Sequence, residues 1–268
     1  MGPHSLAFYH VIILVLFLKK LYMLIIIHHF FRRKFMNLSV ILAAGEGSRT
    51  GLDLPKQFYQ INNKTILSLC LEKFEYSLLT DGFIVACHPD YYGKTLEIAG
   101  AFKKSKGVVY GGKTRQESVF NSLKFINKTF AGTDLVAVHD SARPFITSQQ
   151  IDDLYSFAAQ KGSVIPVEEE SYTVSLVENE RVLNYLDRKQ VCRHQTPQIF
   201  DFERLFSAYQ KNMDCLKEFT DDGSIYMAAG NELFIKYIPC DNLKITSMQD
   251  VLFAEYMLRH NSNKEEKK

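Results

Sequence analysis

The sequence predicts an α/β fold with a mainly parallel sheet covered by helices on both faces, and three observations carry that expectation. Short, continuous, β-rich apolar runs alternate with amphipathic stretches of helical length, which is how strands buried on both faces read. The first run leads directly into a glycine-containing turn, the place where strand ends of parallel sheets meet ligands. Composition is that of a globular chain: of 268 residues 46% are hydrophobic and 23% charged, which disfavours disordered, collagen-like and coiled-coil architectures.

The first 35 residues differ from the rest. Residues 6–18 are apolar apart from His10, Lys19 and Lys20 interrupt, and 21–27 are apolar again before Arg32-Arg33-Lys34. That stretch is long enough to cross a bilayer, but each lysine near a helix centre costs about 2.5–3.5 kcal/mol on insertion scales. No small-residue cleavage site follows it. Residues 1–35 are therefore read as an apolar, basic leader expected to lie outside the native fold, with Met36 as the natural start and a membrane anchor as the alternative. Strands are expected at 38–42, 83–87, 108–110, 135–138 and 164–167, separated by helices at 65–77, 92–104, 114–127 and 148–161. Thr114 with Glu117 reads as a capping box, and Gly162 stands where a C-cap glycine belongs.

After Pro166 the rhythm changes. Residues 172–177 and 181–186 alternate around the polar turn Glu178-Asn179-Glu180, which predicts an inserted hairpin, an arm at about 168–190. A lone two-stranded ribbon is marginal, so a second copy of the chain is its expected partner, giving a homodimer. Helices from Asp201, after Thr220 and over 247–259, with a strand at 233–238, complete a body spanning 36–260; 261–268 reads as a polar tail. The net charge of +2 includes five basic and no acidic residues in 1–35, leaving 27 basic against 30 acidic elsewhere. Nucleic acid is accordingly not an expected partner. Five scattered cysteines without CxxC spacing argue against a disulfide framework or zinc site and fit a reducing, cytoplasmic setting.

The turn Leu42-Ala43-Ala44-Gly45-Glu46-Gly47-Ser48-Arg49 lets backbone N–H groups approach an anion closely, although it lacks the Lys-Ser/Thr ending of a P-loop and the third glycine of a dinucleotide fingerprint. Arg49 and, seven residues on, Lys56 in Pro55-Lys56-Gln57 bracket it with two cations, a cradle suited to a triphosphate. Asp140 and Arg143 follow the strand ending at Val138 and face the same crevice, where an Asp suits polyol hydroxyls.

From Leu42 to Lys56 the spacing resembles that of nucleotidyltransferases acting on nucleotide-sugar-type substrates. Gly111-Gly112-Lys113-Thr114-Arg115-Gln116-Glu117-Ser118, Val138-His139-Asp140-Ser141-Ala142-Arg143-Pro144-Phe145, Gln195-Thr196-Pro197-Gln198, Thr220-Asp221-Asp222 and Asp241-Asn242-Leu243-Lys244-Ile245-Thr246 then follow in the order found in the 2-C-methyl-D-erythritol 4-phosphate cytidylyltransferase family. The resemblance implies a Rossmann-like nucleotidyltransferase fold that transfers CMP from CTP to a polyol phosphate. It implies Arg49, Lys56 and Lys244 as catalytic residues on the phosphates, and Ala43, Ala44, Gly45, Gly47, Gly112 and Ser118 around the nucleotide. Asp140, Arg143, Thr173, Arg188, Thr220 and Asp241 are implied for the acceptor, with Arg188 acting across a dimer interface. Mg²⁺ is expected to ride on the CTP phosphates with few protein ligands. No covalent nucleophile or general base is needed, because a phosphate monoester is already ionised near neutral pH; His139 and His194 are expected to be ordinary packing residues.

One departure bears on the acceptor. The family shows Asp-Thr after Pro-Val, whereas Glu168-Glu169-Glu170-Ser171-Tyr172 precede Thr173 here. Ribitol-5-phosphate cytidylyltransferase shares the glycine turn and two later motifs and is the alternative; Leu186-Asp187-Arg188 favours the methylerythritol enzyme. A non-catalytic nucleotide-binding protein is a remote third reading, disfavoured by the joint presence of Arg49, Lys56, Arg188 and Lys244.

Overall fold

A computed structural model describes residues 36–45, 54–239 and 242–265, with side chains followed as far as Arg259. The expectations for 1–35, for Gly47, Arg49 and Asp241, and for the end of the tail lie outside the described residues. Strand β1 (Met36–Ala43) alternates its burial between two cores, Leu38 and Val40 facing one and Ile41 and Ala43 the other. A two-residue pair, β2 (Gln60–Ile61) and β3 (Lys64–Thr65), precedes helix α1 (Ile66–Tyr76), whose cap Thr65 accepts a bond from the Ser68 amide. Strand β4 (Gly82–Cys87) is buried along its whole length, as its unbroken apolar run requires. Helix α2 (Tyr92–Gly100) stops four residues short of the predicted end, and strand β5 (Ser105–Tyr110) follows.

At α3 (Arg115–Thr129) the predicted capping box is only half formed. Thr114 Oγ1 accepts from the Glu117 amide at 3.1 Å, but the Glu117 carboxylate reaches one residue further back and accepts from the Lys113 amide at 2.8 Å. The full reciprocal box appears instead at α4 (Ser148–Lys161), between Thr147 and Gln150, after strand β6 (Thr133–Asp140). Gly162 ends α4 with φ of +85°, a conformation open to glycine without strain.

Strand β7 (Ser163–Glu169) leads into the arm, β8 (Val174–Glu178) and β9 (Arg181–Leu186), which pair only with each other. The turn has two residues rather than three: Glu178 pairs with Arg181, while Asn179 and Glu180 take φ of +46° and +63°, as a type I′ turn demands. The side chains of Tyr172, Leu176, Val177, Val182, Leu183 and Tyr185 remain 51–74% exposed. Two strands absent from the expectation come next, β10 (Cys192–His194) and β11 (Gln198–Asp201). They were illegible because they are short, and β10 is polar at an edge. Helices α5 (Phe202–Lys211) and α6 (Asp222–Ala228), strand β12 (Ile235–Tyr237) and helix α7 (Met248–Glu265) finish the fold, the last running into the predicted polar tail. Asp221 caps α6 through its bond from the Ser224 amide at 2.9 Å.

Strands β5, β4, β1 and β6 are consecutive and parallel; β11 enters antiparallel between β6 and β7, which makes the sheet mixed but mostly parallel. Helices α1 and α4 bury one face and α3, α5 and α6 the other. At the end of the sheet where β1 and β4 begin, Asp152 of α4 accepts bonds from Ser77 Oγ (2.6 Å) and the amides of Leu78 (3.0 Å) and Leu79 (2.9 Å).

The arm is anchored by charge. Arg193 of β10 bonds Glu168 at 2.8 Å and lies 3.6 Å from Glu170, so two of the three unexpected glutamates are answered locally. His194 Nδ1 lies 3.1 Å from Asp221 Oδ2. That hydrogen bond raises the His194 pKa above its ordinary value, against a smaller opposing effect of burial. A raised folded value means stabilisation that is complete below the unfolded pKa of about 6.5 and lost as pH rises through the folded one. The melting-temperature difference between wild type and His194→Gln should therefore be largest near pH 5.5 and shrink above pH 8; a pH-independent difference would remove the ionic pair from the account.

Candidate active site

The C-terminal ends of β1, β4, β5 and β6 open onto one cavity of about 800 Å³, lined from the first by Ala44 and Gly45, from the second by His88 and Pro89, from the third by residues 111–115 and from the fourth by residues 140–142. Close packing explains two of its glycines, while a Cβ on the third, Gly45, would meet nothing within 4 Å. A Cβ on Gly111 would stand 2.5 Å from Ala44 Cβ, and one on Gly112 would stand 2.2 Å from Glu117 Cβ. The Gly112 amide donates to Ser118 Oγ at 3.0 Å, and that hydroxyl donates to the Thr114 carbonyl at 2.9 Å, so Ser118 shapes the turn as well as lining the cavity.

The first turn is held from below. Pro55 opens a short 3₁₀ helix, Lys56–Phe58, in which Gln57 is buried and donates through Nε2 to the carbonyls of Ala43 (2.7 Å) and Gly45 (3.0 Å). Lys56 points into the cavity wall and its Nζ donates to the Ile245 carbonyl at 2.8 Å. The segment carrying Lys244 is thereby brought alongside the segment carrying Lys56, although 188 positions separate them.

Asp140 ends β6 and is 9% exposed. Its Oδ2 accepts from Lys244 Nζ at 2.6 Å, its Oδ1 from Arg115 Nε at 3.3 Å, and its amide donates to Thr196 Oγ1 at 3.1 Å. Burial opposes the charge, but Arg115 and Lys244 outweigh it and hold the carboxyl well below the usual carboxylate range. His139, wholly buried beside Phe74, is driven by burial down to about 4 and is neutral at physiological pH, a packing residue as expected. Arg143 sits behind the cavity, donating through Nη1 to the Asn242 carbonyl at 2.8 Å, while Asn242 Nδ2 donates to Gln195 Oε1 (3.0 Å) and the Thr196 carbonyl (2.9 Å).

The structure thus gathers Ala44, Gly45, Lys56, Gly112, Ser118, Asp140 and Lys244 at one cavity, with Ala43 and Arg143 directly behind it. Thr173 and Arg188 are exposed on the arm and Thr220 is exposed before α6; none of the three lines the cavity of its own chain. Sequence reasoning passed over Gln57, Arg115 and Asn242, although each lies inside a motif already singled out. A buried amide or guanidinium gives no periodicity signal, and its partners are remote in sequence.

Comparison with known proteins identifies the family. Residues 38–260 match the family model described as "IspD: 2-C-methyl-D-erythritol 4-phosphate cytidylyltransferase". The chain belongs to this family. A relative of that name from Petrotoga mobilis is 41% identical over 227 residues, covering 85% of this chain and all of the relative. The crystal structure of the Francisella tularensis protein of the same name is 30% identical with a TM-score of 0.70, covering 82% of this chain and 99% of that one. A synthase structure from Anaerococcus prevotii, 24% identical with a TM-score of 0.74 over 84% of this chain and 96% of that one, supports the fold. Family members share the α/β sheet described above, and this chain is a nucleotidyltransferase of that type.

Proposed function

We propose that the chain transfers the cytidylyl group of CTP to 2-C-methyl-D-erythritol 4-phosphate, giving the CDP-alcohol and pyrophosphate. The observation that carries this reading is the meeting of two glycine turns, Lys56, Lys244 and Asp140 at one cavity in a member of a family that bears the activity's name. An acceptor phosphate oxygen attacks the α-phosphorus, a new P–O bond forms, and the bond to the β-phosphate oxygen breaks with its electron pair leaving on pyrophosphate. The chain aligns two polyanions and answers the charge that gathers between them. Lys56 and Lys244 serve the phosphates together with Arg49. The glycine turns, through Ala44 and Gly112, take the base, and Asp140 accepts from hydroxyls of the acceptor.

Among the described residues no group of three or more His, Cys, Asp or Glu could hold a metal ion, and the one deep carboxylate at the cavity is already shared by two cations. That donor set fits a triphosphate bringing its own Mg²⁺, which would withdraw charge from the phosphorus under attack. The arm's exposed apolar side chains support a homodimer in which Arg188 and Thr173 serve the partner's acceptor site. No helix among the described residues is long and apolar enough to cross a membrane. The scattered cysteines without CxxC spacing support a reducing compartment, and we assign the enzyme to the cytoplasm on that ground.

The test is pyrophosphate release with each of four nucleoside triphosphates against 2-C-methyl-D-erythritol 4-phosphate and ribitol 5-phosphate. CTP with the first acceptor should exceed every other pair by at least about tenfold, because a pocket whose polar groups fit one base leaves them unpaired with another. A preference for ribitol 5-phosphate would move the assignment to the neighbouring family. No release with any pair would end the enzymatic reading.

A further inference from the structure

The cytidylyl-transfer reading gives Asp140 and Lys244 different tasks, one toward the acceptor's hydroxyls and one toward the nucleotide's phosphates, yet the structure ties them to each other at 2.6 Å. A polyphosphate arriving at the cavity competes with Asp140 for the Lys244 ammonium. A carboxylate so deeply set would then lose a cation that keeps it ionised, unless another stays in place.

Arg115 has the properties of the cation that stays. It is the first residue of α3 and lines the cavity, with its guanidinium stretched between two carboxylates. Its Nε donates to Asp140 and its Nη2 donates to Asp222 Oδ2 at 2.7 Å. Asp222 is fully buried at the start of α6, and its other oxygen accepts from the buried Tyr209 hydroxyl of α5. Arg115 is thus tied to a buried part of the core that does not line the cavity. Lys244, by contrast, has a side chain 40% exposed against 26% for Arg115 and stands on an irregular segment before α7. An incoming polyanion competes for the more exposed, singly held cation more easily than for a planar fork held at both ends.

We propose that Arg115 is a positioning residue for the acceptor: anchored by Asp222, it keeps Asp140 charged and aimed while Lys244 changes partner from Asp140 to the nucleotide's phosphates, which frees Asp140 Oδ2 for an acceptor hydroxyl. The arrangement makes nucleotide binding prepare acceptor binding without any movement of the sheet.

Steady-state kinetics of the full-length Arg115→Met, Arg115→Lys and Asp222→Asn enzymes test this with CTP and 2-C-methyl-D-erythritol 4-phosphate varied in turn. Arg115→Met should raise the acceptor KM by about tenfold or more, the usual effect of losing one charge-assisted bond, while the CTP KM moves by less than about threefold. Arg115→Lys, which keeps the charge without the fork, should recover part of the loss, and Asp222→Asn should shift the acceptor KM in the same direction by a smaller factor. A folded Arg115→Met enzyme with both KM values unchanged, or with both raised equally, overturns the proposal. Should that variant not fold, an unchanged acceptor KM in Asp222→Asn does the same. Wild-type enzyme that releases no pyrophosphate with this pair would instead overturn the cytidylyltransferase reading itself.

Discussion

Replacing Lys56 by alanine should lower turnover with CTP and 2-C-methyl-D-erythritol 4-phosphate by at least about 10²-fold, the loss typical when one preorganised donor to a developing oxyanion is removed. The geometry explains why so much is expected of one ammonium. Pro55 fixes the entry to the short helix, buried Gln57 holds the neighbouring backbone against the first glycine turn, and the Ile245 carbonyl holds Nζ at the cavity wall. A charge held in advance needs no reorganisation when the phosphorus is attacked. The fold should survive, because Gln57 and Phe58, not Lys56, carry the burial of that helix. A purified, folded Lys56→Ala enzyme with near-normal kcat would take this residue out of the mechanism; Arg49→Ala should behave alike.

The second large effect is a recovery. Lys56→Ala and Arg188→Ala should each be inactive alone, yet co-expressed they should regain activity, because Arg188 is exposed on an arm that leaves its own chain's cavity untouched. In a composite site, a mixed dimer carries one intact centre and one doubly defective one. Random pairing then gives about a quarter of wild-type activity. Heterodimers isolated with two affinity tags that show none would return Arg188 to its own subunit or to a purely structural place. Sedimentation of the wild type as a monomer at assay concentration would dispose of the arm's crossing altogether.

Legibility in the sequence followed the range of the forces involved. Strands β1, β4, β6 and β7 were readable because burial on both faces imposes continuous apolar runs, and α4 was readable to the residue because Ser148 follows a cap and Gly162 closes the helix. Strands β10 and β11 were not, since their pairing with β7 and β6 is written in the partner strands rather than in their own composition. The same divide runs through the site. The glycine turns, Lys56, Asp140 and Lys244 stand in recognisable motifs, whereas Arg115 acquires its place only when Asp222, 107 positions away, is brought against it.

Asp152 gives the two ends of the sheet different evolutionary accounts. Its carboxylate clasps residues 77–79 at the end opposite the cavity, where no substrate comes. Damage there would register as fewer folded molecules per cell, each with unaltered substrate affinity, and chaperones or a cooler growth temperature could mask it. At the cavity end the exposed Lys244 ammonium is the contrasting case, since its loss removes a charge from the site without removing a buried contact of the core. A substitution at Asp152 is therefore expected to lower the amount of folded protein and leave the KM of what remains unchanged.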